Sequence, residues 1–199
     1  MMNTHLYDII IVLLRLIFRP LFRIKVEGAE NIPAEGGFIL CANHIAALDP
    51  VYVAVSVPKR RVHFMSKAEV FKFKPFAKLF TSIGAFPVDR GHSDLNAVRT
   101  ALKVVADGHC LGIFPQGTRA RHNERLPMLT GVSMIAMRAK APIIPCYLDG
   151  PYRLFRRTLV RFGPPVDISG FGRKVDSATL EAVTHAIEDS VWRMQPEKQ

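Results

Sequence analysis

The sequence predicts one α/β domain with a mostly parallel or mixed central sheet flanked by helices. Three observations lead there. Short, almost wholly apolar runs of strand length recur at 37–42, 62–65, 83–88, 110–114 and 143–148, and such runs suit strands covered on both faces. Between them lie segments whose apolar residues follow the helical period, so strands and helices alternate as a parallel sheet requires. The chain has 199 residues, 49% of them hydrophobic, which is enough for one sizeable core.

The composition also narrows the partners. The net charge is +10, with 27 Lys and Arg against 17 Asp and Glu. Strong basicity joined to high apolar content points to anionic membrane surfaces or anionic ligands. Nucleic acid is the competing reading of the charge, but no zinc-finger, RNP or basic-zipper pattern supports it. Cys41, Cys110 and Cys146 all sit in apolar runs. They read as reduced core residues without metal-ligand spacing, so no metal is expected.

In order, residues 6–22 are strongly apolar, with Ile9-Ile10-Ile11-Val12-Leu13-Leu14 leading into Arg15-Leu16-Ile17-Phe18-Arg19-Pro20. A spanning helix needs about 20 predominantly apolar residues. This run is shorter and is broken by Arg15, Arg19 and Pro20. No small-residue cleavage site follows, which argues against a secretory signal. The run reads as a helix lying on a membrane, with Arg15, Arg19, Arg23 and Lys25 at lipid phosphates. A buried core helix and a single span with Arg15 reaching back to the interface are the other two readings. Residues 1–25 are therefore expected to form a hydrophobic, basic membrane-associating segment ahead of a domain over 26–199.

Residues 23–28 alternate like a strand, and the turn-rich 31–37 delivers the chain to the strand at 37–42. Residues 50–57 form a short apolar helix, Lys59-Arg60-Arg61 a basic turn, and 62–65 a strand. Residues 66–71 read as a helix start. They lead into Lys72-Phe73-Lys74-Pro75-Phe76-Ala77-Lys78-Leu79-Phe80, where basic and aromatic residues interleave. That surface suits a lipid headgroup layer, or else a core helix with a solvated lysine face. After the strand at 83–88, Ser93 or Asp94 caps a helix with the stripe Leu95, Val98, Leu102 and Val105, and Gly108 ends it. A strand at 110–114, a loop over 115–130, a helix over 131–140 and a strand at 143–148 follow. Residues 158–162 give one more strand. Residues 176–194 give an amphipathic helix with Leu180, Val183, Ile187 and Val191, and Trp192 in the core.

The stretch Asn43-His44-Ile45-Ala46-Ala47-Leu48-Asp49-Pro50 follows the strand at 37–42. Loops at the C-terminal ends of strands are where open α/β sheets place their sites. Neutral imidazole accepts a proton near pH 7. A carboxylate on its other ring nitrogen fixes the tautomer and stabilises the imidazolium that forms. The plainer reading is that Asp49 only caps the next helix and His44 is an ordinary loop histidine.

The pattern Asn-His-x-x-x-x-Asp-Pro resembles the first motif of the glycerolipid acyltransferases. Three later stretches resemble further motifs of that family, in the right order. They are Gly84-Ala85-Phe86-Pro87-Val88-Asp89-Arg90, Phe114-Pro115-Gln116-Gly117-Thr118-Arg119 and Ala141-Pro142-Ile143-Ile144-Pro145. Each is weakly specific alone, and four in order are strongly specific. The resemblance implies transfer of a fatty acyl group from acyl-CoA or acyl-carrier protein to the sn-2 hydroxyl of 1-acyl-sn-glycerol-3-phosphate, giving phosphatidic acid for phospholipid synthesis. The donor is a co-substrate, and no bound cofactor is implied. Glycerol-3-phosphate or another lysophospholipid is the alternative acceptor, and a non-catalytic lipid-surface protein the alternative class. The place of work would be the cytoplasmic face of the cell membrane, held monotopically or peripherally.

His44 is then the general base and Asp49 its orienting partner. There is no Gly-x-Ser-x-Gly elbow, so direct attack by the acceptor is expected without a serine intermediate. At the substrate the resemblance puts Asn43, Lys67, Arg90, Gln116, Gly117, Thr118 and Arg119. Arg119 offers a planar fork for phosphate, Gly117 lets the backbone approach, and Thr118 adds a hydroxyl. Two departures stand out. The family usually has glutamate where this chain has Gln116, and often a lysine shortly before the glycine at 131, where Leu129-Thr130 supplies none.

Overall fold

A computed structural model describes residues 2–89, 94–120, 124–150, 152–172 and 174–196, apart from the Phe76 side chain. The strands are β1 (Ile24–Glu27), β2 (Phe38–Ala42), β3 (Val62–Lys67), β4 (Phe86–Val88), β5 (Cys110–Ile113), β6 (Ile143–Asp149) and β7 (Thr158–Phe162). The helices are α1 (Thr4–Leu21), α2 (Asp49–Ser56), α3 (Lys74–Ser82), α4 (Leu95–Ala106), α5 (Gly131–Ala139) and α6 (Ser177–Trp192). The strands form one sheet in the order β1-β7-β6-β2-β5-β3-β4. β4, β3, β5, β2 and β6 run parallel. β7 is antiparallel to β6, and β1 follows β7 in parallel. The sheet is thus mixed, mostly parallel, within the expected α/β class.

Both faces of the sheet are covered, which is why its strands read as unbroken apolar runs. Along β2, Phe38, Leu40 and Ala42 face one side, where Tyr7 and Ile11 of α1 and Tyr52 and Val53 of α2 pack. Ile39 and Cys41 face the other, against Ala101 and Val105 of α4, Ile135 of α5, and Val183, Ile187 and Val191 of α6. This period-2 split makes a three-layer sandwich. The expected core place of Trp192 is confirmed, at 5% exposure.

Three local expectations need correction. β3 continues through Ser66 and Lys67 because β4 pairs with Met65, Ser66 and Lys67. The helix expected from 66 is therefore strand, then a short 3-10 turn at Ala68–Phe71, then α3. The strand expected from 83 starts only at Phe86, since Ile83 and Ala85 still donate backbone N–H bonds into the end of α3. On α4 the period was right and Val105 is buried as expected, but the buried face is shifted away from Leu95. Ala97, Ala101, Val104 and Val105 are buried, while Leu95 is 61% exposed. The small alanines let α4 lie close on the sheet.

α1 crosses the outer layer lengthwise. At one end Tyr7 accepts a hydrogen bond on its hydroxyl from the Val62 N–H at the start of β3, 3.0 Å away. At the other, Phe18 and the following Phe22 meet the edge of the Tyr52 ring. Of the arginines expected at lipid phosphates, Arg15 is half-buried and turned inward, while Arg19 stays exposed and reaches one of the same carbonyls. Arg15 donates to Val55 O at 3.1 Å and Val57 O at 2.6 Å, and Arg19 to Val55 O at 3.4 Å. These are carbonyls left unpaired at the C-terminal end of α2, where a cation is favoured. Ile9, Val12, Leu13, Leu16 and Ile17 remain exposed on the outer side. No described helix is long and apolar enough to cross a membrane.

Candidate active site

The loop between β2 and α2 leaves the C-terminal end of a central parallel strand. Its His44 Nδ1 lies 2.6 Å from Asp49 Oδ2. The same oxygen accepts the backbone N–H groups of Ile45 at 2.6 Å and Ala46 at 2.9 Å. Asp49 is fully buried, and its other partners, two backbone N–H groups and the Tyr152 hydroxyl, all donate, so it serves as an acceptor-only carboxylate. The His44 Nδ1 must then carry the hydrogen, which leaves Nε2 with a free lone pair. No described residue bonds Nε2, and the side chain is 13% exposed. Asp49 is the first residue of α2, with Leu48 as its N-cap and no side-chain cap. The capping reading therefore gives way to the orienting one.

Two buried amides fix this loop. Asn43 was expected at the substrate, but its side chain is turned inward. Its Nδ2 donates to Leu148 O at 3.0 Å and its Oδ1 accepts from Leu148 N at 2.7 Å, clamping the end of β2 to β6. Gln116 is likewise buried. Its Oε1 accepts the His44 N–H at 2.7 Å and its Nε2 donates to Leu126 O at 3.2 Å. The Ala120 N–H then donates to His44 O at 2.8 Å. The third motif therefore grips the backbone of the first on both sides of His44. A glutamate at 116 would keep one of the two Gln116 bonds and lose the other.

Beneath the imidazole lies an aromatic stack. The His44 ring lies on Phe114, with centroids 4.5 Å apart, and Phe114 lies over Phe64 at 5.8 Å. Gly112 is required there, because a Cβ on it would run into the Phe64 ring.

One residue of the site was not singled out in the sequence. The Tyr152 hydroxyl donates to Asp49 Oδ1 at 2.5 Å. Burial, then the Asp49 charge, pushes the Tyr152 phenol well above its usual range, so it stays a donor. Its ring stacks on Tyr52, 3.8 Å between centroids, which in turn meets Phe18 and Phe22. The available signal was position: Tyr152 follows β6 at the same end of the sheet as His44.

The remaining expected residues divide. Thr118 and Arg119 are exposed on the loop that Ala120 ties to His44, and Arg119 bonds no described residue. Gly117 turns that loop with φ +67°, which favours glycine. Lys67 stands at the end of β3, about half exposed, with its Nζ 3.1 Å from Glu69. Arg90 lies outside the described residues. A cleft of about 720 Å³ adjoins Phe114 and Gly117, with Met65, Leu95, Ile113 and Val132 among its apolar walls. The exposed Leu95 thus has a place on the cleft.

Known proteins resemble this chain in sequence and in fold. A family-wide sequence model described as Acyltransferase matches residues 23–149. The 1-acyl-sn-glycerol-3-phosphate acyltransferase of Bacillus subtilis is 30% identical over 177 residues, covering 86% of this chain and 88% of that protein. The protein of the same name from Streptococcus pneumoniae is 30% identical over 178 residues, covering 86% of this chain and 66% of its own length. The crystal structure of the 1-acyl-sn-glycerophosphate (LPA) acyltransferase from Thermotoga maritima superposes with a TM-score of 0.72 at 22% identity, covering 96% of this chain and 83% of that one. That similarity shows a shared fold. The His44–Asp49 pair lies inside the matched segment, and the match spans most of the sheet. The chain belongs to the acyltransferase family.

Proposed function

We propose that the chain moves a fatty acyl group from acyl-CoA or acyl-carrier protein to the sn-2 hydroxyl of 1-acyl-sn-glycerol-3-phosphate, giving phosphatidic acid in phospholipid synthesis. The observation that carries the reading is the state of His44, bonded through Nδ1 to a buried carboxylate and open at Nε2. The acceptor hydroxyl gives its proton to Nε2 as its oxygen attacks the thioester carbonyl. Asp49 stabilises the imidazolium that forms. The C–S bond then breaks, and the imidazolium proton passes to the leaving thiolate. A thioester is already activated, so proton transfer and orientation are what this site has to supply.

Arg119 suits the acceptor phosphate, because its planar fork bonds two phosphate oxygens and no described residue occupies it. The apolar cleft beside Phe114 suits an acyl chain. The exposed stripe of α1 suits peripheral attachment at the cytoplasmic face of the membrane. Gln116 faces Leu126, so the departure at that position does not argue for a different acceptor.

The test is turnover of purified protein with a panel of acceptors and both donors. His44→Ala should lower it by roughly 10²–10⁴-fold with the fold intact. Near-normal turnover by folded His44→Ala protein, or lipid binding without turnover by wild type, would overturn the reading. Preference for glycerol-3-phosphate or another lysophospholipid would keep the chemistry and change the acceptor.

A further inference from the structure

Residues 152–157, Tyr-Arg-Leu-Phe-Arg-Arg, join β6 to β7. β6 runs parallel to β2, so this loop emerges at the sheet end that carries His44. Its first residue is partly buried and holds Asp49. The next five are exposed. Leu154 is 57% and Phe155 68% exposed, the latter as bare as any large apolar side chain on the described surface. Arg153, Arg156 and Arg157 surround them, and none is ion-paired with a described residue. Phe155 also has φ +60°, in the left-handed region that disfavours a non-glycine residue. Its backbone N–H donates to Leu21 O at the end of α1, 2.7 Å away. The strain is therefore held by the body of the protein, while the ring it presents gains no burial there.

Two apolar side chains among three unpaired arginines match a layered partner. The apolar tips would enter the acyl boundary and the guanidinium groups would meet phosphates above it. The surface is continuous with other features at the same end. Arg119 is on the loop after β5, and the segment joining β3 to α3 exposes Lys72, Phe73 and, as the first residue of α3, Lys74. A lipid acceptor must reach His44 from this end.

We propose that the loop carrying Arg153, Leu154, Phe155, Arg156 and Arg157 docks on an anionic lipid bilayer and seats the mouth of the site against it. The proposal rests on the lipid-acyltransferase reading above. It adds a second contact, distinct from the α1 stripe and one residue from the tyrosine that bonds Asp49.

The experiment is cosedimentation of the full chain with phosphatidylglycerol-containing and pure phosphatidylcholine vesicles, alongside turnover on detergent-dispersed substrate. Each arginine near an anionic surface contributes roughly a fivefold factor at low salt. The triple Arg153→Gln, Arg156→Gln, Arg157→Gln variant should therefore lose on the order of a hundredfold in affinity for anionic vesicles and little for neutral ones. Phe155→Gly relieves the positive φ, so the protein should be at least as stable as wild type, yet it should bind both vesicle types about tenfold more weakly. Turnover on dispersed substrate should hold in both variants.

A parallel Leu13→Ser, Ile17→Ser variant tests the α1 stripe. If it loses binding while the loop variants keep it, the loop proposal fails and peripheral attachment by α1 stands. If only the loop variants lose binding, the proposal holds without α1. Unchanged vesicle binding with lost affinity for acidic acyl-carrier protein would overturn it in favour of a donor-docking surface.

Discussion

Tyr152→Phe separates the role of one hydroxyl from that of the ring that carries it. The substitution removes the donor to Asp49 Oδ1 and keeps the ring stacked on Tyr52 at 3.8 Å, so little packing is lost. A hydrogen bond to a charged group is worth roughly 1.5–3 kcal/mol, and here its loss leaves a buried carboxylate oxygen without a partner. For a chain of this size each kcal/mol moves Tm by about 2–4 °C, so the variant should melt about 3–12 °C lower. Asp49 Oδ2 keeps His44, Ile45 N and Ala46 N. The carboxylate is therefore loosened without being released. The general base as a whole is worth ~10²–10⁴-fold, and a loosened orienting group should lower kcat by roughly tenfold with KM little changed. Calorimetry and kcat on dispersed substrate read the two effects. Tyr52→Phe is the control, because the Tyr52 hydroxyl is buried with no partner among the described residues and its loss should leave Tm unchanged or higher. Wild-type Tm and kcat in Tyr152→Phe would refute the reasoning.

Three further outcomes follow from the geometry. Arg119→Ala should lower kcat/KM for phosphate-bearing acceptors about ten- to a hundredfold, with Arg119→Lys intermediate; equal losses on phosphate-free acceptors would sink the assignment. Gln116→Glu sets a carboxylate oxygen against Leu126 O, now 3.2 Å from Nε2. It should destabilise by about 1–3 kcal/mol in urea unfolding and lower turnover, whereas a sharp rise in turnover would show that the site lacks a charge. Burial, then the neighbouring His109, holds the His63 imidazole down to about 4, against 6.5 in the unfolded chain. The unfolded state therefore takes up the proton first, so stability is complete above pH 6.5 and falls as pH drops from 6.5 to about 4. His63→Gln should flatten the urea midpoint across that window, and an unchanged acid slope would remove His63 as the cause.

The His44–Asp49 pair was legible because the two residues lie in one short segment at the end of an apolar strand, with partners close in sequence. The sheet was legible because doubly covered strands have to be apolar throughout. What stayed hidden depends on partners far along the chain. Asn43 and Gln116 look like substrate amides until Leu148 and Leu126 are brought beside them. Tyr152 reaches Asp49 across 103 positions, and no local pattern encodes that contact. Arg15 and Arg19 read as lipid-facing because their real acceptors are backbone carbonyls, which no side-chain pattern reveals. On α4 the leucine–valine stripe was the more hydrophobic one, but close approach to the sheet favoured the alanines.

The inward Arg15 of α1 bears on how the protein can be handled at the bench. Arg15 closes the end of the helix that begins at Asp49, and Phe18 and Phe22 brace the ring on which Tyr152 rests. Trimming the N-terminus to gain solubility would uncover the carbonyls of Val55 and Val57 and strip one wall from the aromatic stack. An inactive truncated protein would then report damage to the layer that holds Asp49 and His44 rather than a lost attachment. Solubility is better sought by replacing Leu13, Leu16 and Ile17 on the outer face, which leaves every inward contact of the helix in place.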